Sequence, residues 1–318
     1  MFIKTFGELC KDMFEECGGK AAHLGELTGL GLKVPSGYTV LGSAYYRHLE
    51  ANRLMDRISV ISATIDFDNY ENIERKTAEI RESIIAAPVP EEIEKEIVDN
   101  YVALAGDGDP FVAVRSSVAM KDSSISSFPG MMDTYHYIRG AKNVVLKVRE
   151  CWASLWSARA AVTRHNKSLD DTKAVIAPTI QLMVNSEMAG VLFTINPVTG
   201  SKDEFMIESN WGLGETVVSG RCTSDLYIVS KNPVAIVTGT IATKSETYIQ
   251  NEGGGAKWVS VDAAKAVLPT LNESQVKELC TIAAGIEAHY GVPQDIEWAY
   301  EKGVFYILQA RKARACGG

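Results

Sequence analysis

The strongest candidates for chemistry in this sequence are four polar side chains near its end. In the stretch QDIEWAYEKGVFYILQAR, two acids stand in one strand-like run, and an amide and a guanidinium stand in the next. Because side chains alternate along a strand, Asp295 and Glu297 project to one side. For the same reason Gln309 and Arg311 share a side of their own strand.

The turn between the two runs decides whether the two pairs meet. A three-residue loop of residues 301–303, with its glycine in the left-handed region, would place Asp295 opposite Gln309. All four polar groups would then share the open end of one face. In this register Phe305 and Ile307 cover the same face nearer the turn.

Such a face suits a magnesium ion together with a phosphate chain. Carboxylate and amide oxygens are hard ligands for the metal, and a guanidinium holds an anion with two parallel hydrogen bonds. An exposed hairpin with surface salt bridges would show the same residue pattern. Spacing alone leaves both interpretations open.

Two common phosphate-binding motifs are absent. The segment CGGKAAHLGEL lacks the P-loop pattern, because Phe14 stands where a glycine is needed and Ala21 where a serine or threonine is needed. The segment WGLGE is not a dinucleotide fingerprint, since Val217 replaces its third glycine.

Two segments could still contact phosphate without those motifs. Lys20 follows paired glycines at the start of a helix, where backbone N–H groups and the ammonium point the same way. Arg115 ends a strand and precedes a serine-rich loop in which Pro129 and Gly130 set a tight turn. A solvated lysine and an ordinary surface loop are the plainer alternatives.

The elements around these residues indicate an α+β fold. Apolar periodicity predicts helices and strands, and a short turn predicts a hairpin between TIQLMV and AGVLFTI. Strands followed by helices and then by more hairpins favour α+β lobes over a parallel wound sheet. The predicted helices cover residues 21–32, 72–87, 90–104, 144–166 and 273–290.

Composition narrows the class of protein. The 318 residues are 46% hydrophobic, enough for a sizeable core, and the net charge of −8 without a basic run argues against a nucleic-acid partner. Six cysteines without a C-x-x-C pair indicate reduced thiols in the cytoplasm. No signal peptide or membrane-spanning run is evident, so no membrane partner is expected.

Four separated segments together resemble one family. CGGKAAHLGEL, VRSSVAMKDSSISSFPGMMDT, ESNWGLGETVVSG and the final hairpin look like the N-terminal nucleotide-binding domain of phosphoenolpyruvate synthase and pyruvate phosphate dikinase. Rifampin phosphotransferase and the small subunit of phenylphosphate synthase share this domain. The resemblance implies an ATP-grasp fold with two lobes clamping ATP, over residues 1–177 and 178–312, before a tail over 313–318.

The resemblance also implies roles for single residues. Lys20, Arg115 and Arg311 are similar to the family's catalytic, triphosphate-binding cations, and Glu297 and Gln309 to its Mg²⁺ ligands. The resemblance also implies further nucleotide contacts. Gly130 and Thr134 belong to a loop over the outer phosphates, Gln181 and Met183 to the adenine-side strand, Glu208 contacts the ribose, and Asp295 lies beside the catalytic arginine.

The sequence has no Gly-Gly-x-x-Ser-His motif, which in this family carries the histidine of a separate swivelling domain. The resemblance therefore implies a Mg-ATP-binding component that passes the β,γ-pyrophosphoryl group to a partner's histidine and releases AMP. The final small-molecule acceptor would bind elsewhere. Two alternatives remain, a self-contained ATP-grasp ligase and a non-catalytic adenylate-binding regulatory module.

Overall fold

The structure is a computed structural model that describes residues 1–120, 134–169 and 173–313. It combines helices with antiparallel sheets, so the predicted α+β class is confirmed. The chain divides into two compact units, the first with residues 1–26 and 36–183, and the second with residues 27–35 and the chain from 184 onward. Within the described ranges, no helix combines the length and the apolar character that crossing a membrane requires.

The first unit contains one five-stranded sheet and most of the helices. Its strands are β1 (Ile3–Thr5), β2 (Gly37–Val40), β3 (Val112–Met120), β4 (Thr134–Ile138) and β5 (Ala174–Leu182), in the order β1-β2-β5-β3-β4. Its helices are α1 (Phe14–Gly29), which runs on into the second unit, α2 (Gly42–Ala51), α3 (Leu54–Ser62), α4 (Tyr70–Ala86), α5 (Glu91–Ala105), α6 (Ala141–Ser154) and α7 (Ala158–Asn166).

Helices cover one face of this sheet. Helix α6 packs on β3 and β5, helix α5 packs on β2, and helix α4 packs on α6. Val112 and Val114 of β3 are fully buried in this core together with Ile180 of β5. By alternation, Arg115 and Ser117 of β3 and Gln181 of β5 point to the opposite face.

The second unit contains a six-stranded sheet and a separate strand pair. Its strands are β6 (Met188–Phe193), β7 (Glu204–Trp211), β8 (Asp225–Lys231), β9 (Val234–Thr240), β10 (Glu246–Gln250), β11 (Ala256–Ser260), β12 (Gln294–Glu301) and β13 (Val304–Lys312). The large sheet has the order β13-β12-β6-β7-β8-β9, and β10 pairs with β11. Its helices are α8 (Glu215–Val218), α9 (Ala263–Ala266) and α10 (Glu273–Tyr290).

The predicted hairpin between TIQLMV and AGVLFTI is wrong. Strand β5 pairs with β2 and β3 in the first unit, whereas β6 pairs with β7 and β12 in the second. Both edges of each strand are therefore occupied by other partners. The short segment between β5 and β6 is the place where the chain passes from one unit to the other.

The final hairpin forms, but with a different turn from the predicted one. Glu301 pairs with Val304 across a two-residue turn of Lys302 and Gly303, whose φ angles are 48° and 85°. Positive φ at both positions is the type I′ pattern, which matches the twist of paired strands.

A β-bulge then changes the faces of β13. Trp298 pairs with Ile307 and Glu297 with Gln309, so that Leu308 is the extra residue. Ile307 and Phe305 consequently lie in the core with Trp298, and they do not cover the polar face as predicted. The Trp298 and Phe305 rings meet edge to face at 5.5 Å.

Candidate functional site

A row of polar side chains crosses the large sheet of the second unit. Glu297 pairs with Gln309 on one side and with Val191 on the other, and Val191 pairs with Glu208. Paired residues on neighbouring strands point to the same face, so Glu297 and Gln309 share one face, as predicted. The predicted register, with Asp295 opposite Gln309, is wrong, because Glu297 is the residue that pairs with Gln309. Glu208 shares their face, but strand β6 lies between Glu208 and Glu297. Neighbouring strands are spaced roughly 4.8 Å apart.

Asp295 and Arg311 are also paired in register on this face. The Nε and Nη2 atoms of Arg311 each lie 2.8 Å from the Oδ2 atom of Asp295. The arginine side chain is 39% exposed and the aspartate 10%, so the guanidinium remains accessible to a ligand while its partner is held inside. Burial raises the pKa of Asp295 above its usual value, although the charge of Arg311 acts against this rise.

Glu215 lies near this surface, although it was not among the predicted site residues. Burial raises the pKa of Glu215, and the negative charge of Glu297 raises it further. Burial also raises the pKa of Glu208. An electrostatic effect between Glu215 and Glu297 means that the two carboxylates lie close enough to repel each other.

The backbone of WGLGE explains where Glu215 lies. Gly212 has a φ of 77°, and a Cβ atom at this position would lie 2.6 Å from the carbonyl oxygen of Tyr248. Only a glycine therefore allows the loop to run so close to β10, where the Leu213 amide donates to the same oxygen at 2.9 Å. Helix α8 starts three residues after Gly212, and it packs on β6 and β7. The glycine pair was the sequence signal for this position.

The donor set of the second unit fits a magnesium ion. Within the ranges that the structure describes, no three His, Cys, Asp or Glu side chains form a group that could hold a metal by themselves. Glu297 and Gln309 offer one carboxylate and one amide oxygen from paired positions. Mg²⁺ is commonly held by one or two protein oxygens, with substrate phosphates and waters completing its octahedron.

A second polar group lies on the face of the first unit's sheet that is opposite α4, α5 and α6. The Nη1 atom of Arg115 donates to the Oε1 atom of Gln181 at 3.1 Å. Arg115 also pairs in register with Thr134 of β4 and with Thr179 of β5. Gln181 is buried and Thr134 exposed, so the guanidinium is fixed from one side by an amide beneath it.

Lys20 is placed by an unusually close approach between α1 and β3. Gly18 interrupts α1 with a φ of 74° and a ψ of 163°, and the helix resumes after it, as the paired glycines indicated. A Cβ atom on Gly18 would lie 2.4 Å from the Oγ atom of Ser117. That hydroxyl accepts the Ala21 amide at 3.1 Å. The turn that carries Lys20 is therefore fastened to β3 two residues beyond Arg115.

Two further predicted nucleotide contacts are Met183 and Gly130. Met183 is half-buried just after β5, where its amide donates to the carbonyl oxygen of Phe111 at 3.0 Å. Gly130 lies outside the described residues. The structure thus brings Arg115, Thr134 and Gln181 together in the first unit.

By fold, the chain is an α+β protein with a polar face on each of its two main sheets. A family model described as "Pyruvate phosphate dikinase, AMP/ATP-binding domain" matches residues 14–317. The match covers nearly the whole chain. The chain belongs to the family of pyruvate phosphate dikinase AMP/ATP-binding domains.

Curated relatives agree with this assignment. The chain is 41% identical over 313 residues to a probable phosphoenolpyruvate synthase of Methanocaldococcus jannaschii, covering 98% of this chain and 26% of that protein. It is 38% identical to the phosphoenolpyruvate synthase of Pyrococcus furiosus, covering 98% of this chain and 43% of that protein. It is 34% identical to a rifampicin phosphotransferase of Bacillus subtilis, covering 96% of this chain and 35% of that protein. The chain therefore spans less than half the length of these relatives.

Proposed function

We propose that this chain is the Mg-ATP-binding component of a dikinase-type phosphotransferase with an ATP-grasp fold. Family membership supports the nucleotide. The observation that carries the proposal is the pairing of Glu297 with Gln309 beside the Asp295–Arg311 ion pair on one sheet face. In this proposal the predicted lobes, residues 1–177 and 178–312, correspond to the nucleotide-clamping lobes of that fold.

The proposed nucleotide contacts follow the roles that the family resemblance implies. Glu297 and Gln309 would hold Mg²⁺, which when bound neutralises charge on the phosphate oxygens. Arg311 would contact the group in transfer, and Lys20 and Arg115 would bind the triphosphate. The Gln181 and Met183 segment would line the adenine, Glu208 would contact the ribose, and Gly130 and Thr134 would contact the outer phosphates.

The proposed reaction moves the β,γ-pyrophosphoryl group to a histidine of a separate domain or subunit. An imidazole nitrogen attacks the β-phosphorus, the bond from that phosphorus to the α,β-bridging oxygen breaks, and AMP leaves with the oxygen. Fixed cations stabilise the negative charge on the transferring group without having to reorganise during the reaction. A small-molecule acceptor would bind to another part of the enzyme. The relatives' names suggest pyruvate or rifampicin as acceptors.

We also propose a cytoplasmic location for the protein. Cys17 and Cys280 are buried, and neither forms a disulfide bond with a residue that the structure describes. Free thiols persist in a reducing compartment.

The test is AMP formation with and without a histidine partner. Mixed with Mg-ATP and a separately expressed histidine domain of a relative, the chain should form AMP and label the partner. Arg311→Ala should keep most of the ATP affinity but lower the rate of labelling by about 100-fold or more, because a charge in the transition state loses its partner. Lys312→Ala, an exposed neighbour on the same strand, serves as the matched control.

Two results would redirect the proposal. Nucleotide binding without any AMP in the presence of the partner would favour a regulatory adenylate-binding module. ADP formation with an amine or thiol acceptor and no partner would favour a self-contained ligase.

A further inference from the structure

A cavity of about 480 Å³ lies within the first unit, among α4, α6 and the start of α7. This is the size of a small-molecule pocket. Tyr135 of β4 forms one wall and packs on the helical core, whereas its neighbour Thr134 pairs with Arg115 on the opposite face of the sheet. The cavity is therefore on the other side of this sheet from the proposed phosphate-binding residues.

Two arginines line the cavity, and neither has a carboxylate partner among residues 1–120, 134–169 and 173–313. The Nη1 atom of Arg81 donates to the Thr77 hydroxyl at 3.3 Å and to the Trp156 carbonyl at 3.0 Å, which are both neutral acceptors. The guanidinium of Arg159 makes no hydrogen bond or ion pair with any residue that the structure describes, and it is exposed. Two cations facing one cavity suit an oxyanion.

The position of Arg159 in its helix strengthens this argument. It is the second residue of α7, which Ser157 caps through a hydrogen bond from the Ala160 amide at 3.2 Å. The positive end of the helix dipole favours acids in the first turn, and α7 has none there. A cation at this place opposes the dipole, and a bound anion would offset both positive charges.

Two carboxylates limit the charge that the cavity accepts. Glu74 and Glu150 also line it. Glu150 is paired with Lys147 at 2.6 Å, while Glu74 accepts a hydrogen bond from the Tyr70 hydroxyl at 2.9 Å. A polyanion beside Glu74 would be repelled, whereas a ligand with a hydrogen-bond donor at that end would be attracted.

We propose that this cavity binds a small organic monoanion, a hydroxy or amino monocarboxylate. Arg159 and Arg81 hold its carboxylate, Glu74 accepts a hydrogen bond from its hydroxyl or amino group, and Ile85 with the Tyr135 ring contacts its carbon atoms. This site is additional to the proposed nucleotide site and needs no turnover of ATP.

The test is an amide chemical-shift titration of the full chain with lactate, L-alanine and inorganic phosphate. Lactate or alanine should cause saturable shifts at the Ala158 and Arg159 amides, with a lower dissociation constant than phosphate. Arg159→Ala should weaken the binding of lactate or alanine by about tenfold or more, which is the effect expected from the loss of a charge-assisted hydrogen bond. The exposed Arg57→Ala in α3, which does not line the cavity, should change nothing.

Further variants make the outcome decisive. Glu74→Gln should tighten phosphate binding several-fold, because it removes the charge that repels a dianion. Arg159→Lys keeps the positive charge and should therefore retain part of the wild-type affinity. This variant tests the site if Arg159→Ala fails to fold. The proposal is overturned by the absence of saturable shifts with both carboxylates, by phosphate binding more tightly than either, or by an Arg159→Ala variant with wild-type affinity.

Discussion

At the scale of single residues, the second unit gathers negative charge on one surface. Burial raises the pKa values of Glu208 and Glu215, and the charge of Glu297 adds to the effect at Glu215. Carboxylates that repel each other make the unliganded surface less stable at neutral pH. A metal ion with phosphates would relieve that repulsion, so the cost is consistent with a site built to hold a cation.

The repulsion predicts a pH-dependent effect of Glu215→Gln. The folded pKa of Glu215 lies above its unfolded value, so its contribution to stability is present at low pH and is lost as the pH rises through the folded pKa. Glutamine does not titrate. Relative to wild type, the variant should therefore gain in free energy of unfolding between pH 4.5 and pH 7.5.

Urea unfolding at both pH values measures this gain. Glu278→Gln, at an exposed position in α10, is the matched control and should show no such gain. An equal difference from wild type at both pH values would contradict the assigned environment of Glu215.

Residue types alone predicted much of this surface. Strand alternation placed Asp295, Glu297, Gln309 and Arg311 on one face, and the structure agrees. Glu215 was missed because its position depends on Gly212 approaching β10, a contact between segments distant in the sequence. The glycine pair of WGLGE indicates a close approach of the backbone, but local spacing does not show which segment it approaches.

At the scale of secondary-structure elements, a glycine decides how α1 meets β3. Gly18→Ala would force a methyl group into Ser117 and place a β-carbon at a φ of 74°. We expect the variant to lose about 1–3 kcal/mol of unfolding free energy, the usual cost of such strain. Because the turn carrying Lys20 would move, ATP affinity should also fall.

Chemical denaturation and nucleotide titration measure both effects. Gly29→Ala, in the same helix but with open space around it, should be neutral or slightly stabilising. Equal stability of the two variants would show that the close approach of α1 to β3 does not matter.

The final hairpin shows where element-level prediction stops. With a two-residue turn and no bulge, Gln309 would point to the core face of the sheet. The extra residue Leu308 returns Gln309 to the polar face, beside Glu297. Leu308 is apolar, like the residues before it, and the sequence therefore gave no signal of an extra residue. The polar face was predicted correctly, but Phe305 and Ile307 were assigned to it wrongly, because strict alternation fails at a bulge.

At the scale of the whole molecule, one segment of the second unit interrupts the first unit along the chain. Residues 27–35 belong to the second unit, although they lie between two segments of the first. Leu27 is fully buried in the second unit's core, and the Ile307 amide of β13 donates to the Lys33 carbonyl at 2.9 Å. The sequence predicted the helix but not the division of the chain within it. Residues 24 and 27 are apolar and lie on the same side of the helix, so periodicity cannot show that they belong to different units.

This division of the chain predicts that two leucines in one helix affect hydrogen exchange in different units. Leu24 and Leu27 are both fully buried in α1, but Leu24 belongs to the first unit. Leu27→Ala should cost about 2–5 kcal/mol and speed hydrogen exchange in β12 and β13. Leu24→Ala should lower the free energy of unfolding by a similar amount but speed hydrogen exchange in the first unit. Identical exchange patterns for the two variants would contradict the division of the chain.

The proposed function depends most on Glu297 and Gln309, which would hold the magnesium ion that accompanies ATP. Calorimetric titration of ATP with and without Mg²⁺, in wild type and in Glu297→Gln, tests it most directly. We expect Mg²⁺ to tighten ATP binding by about tenfold or more in the wild type and by far less in the variant, because a carboxylate ligand is lost. A variant that retains the full magnesium effect would contradict the account.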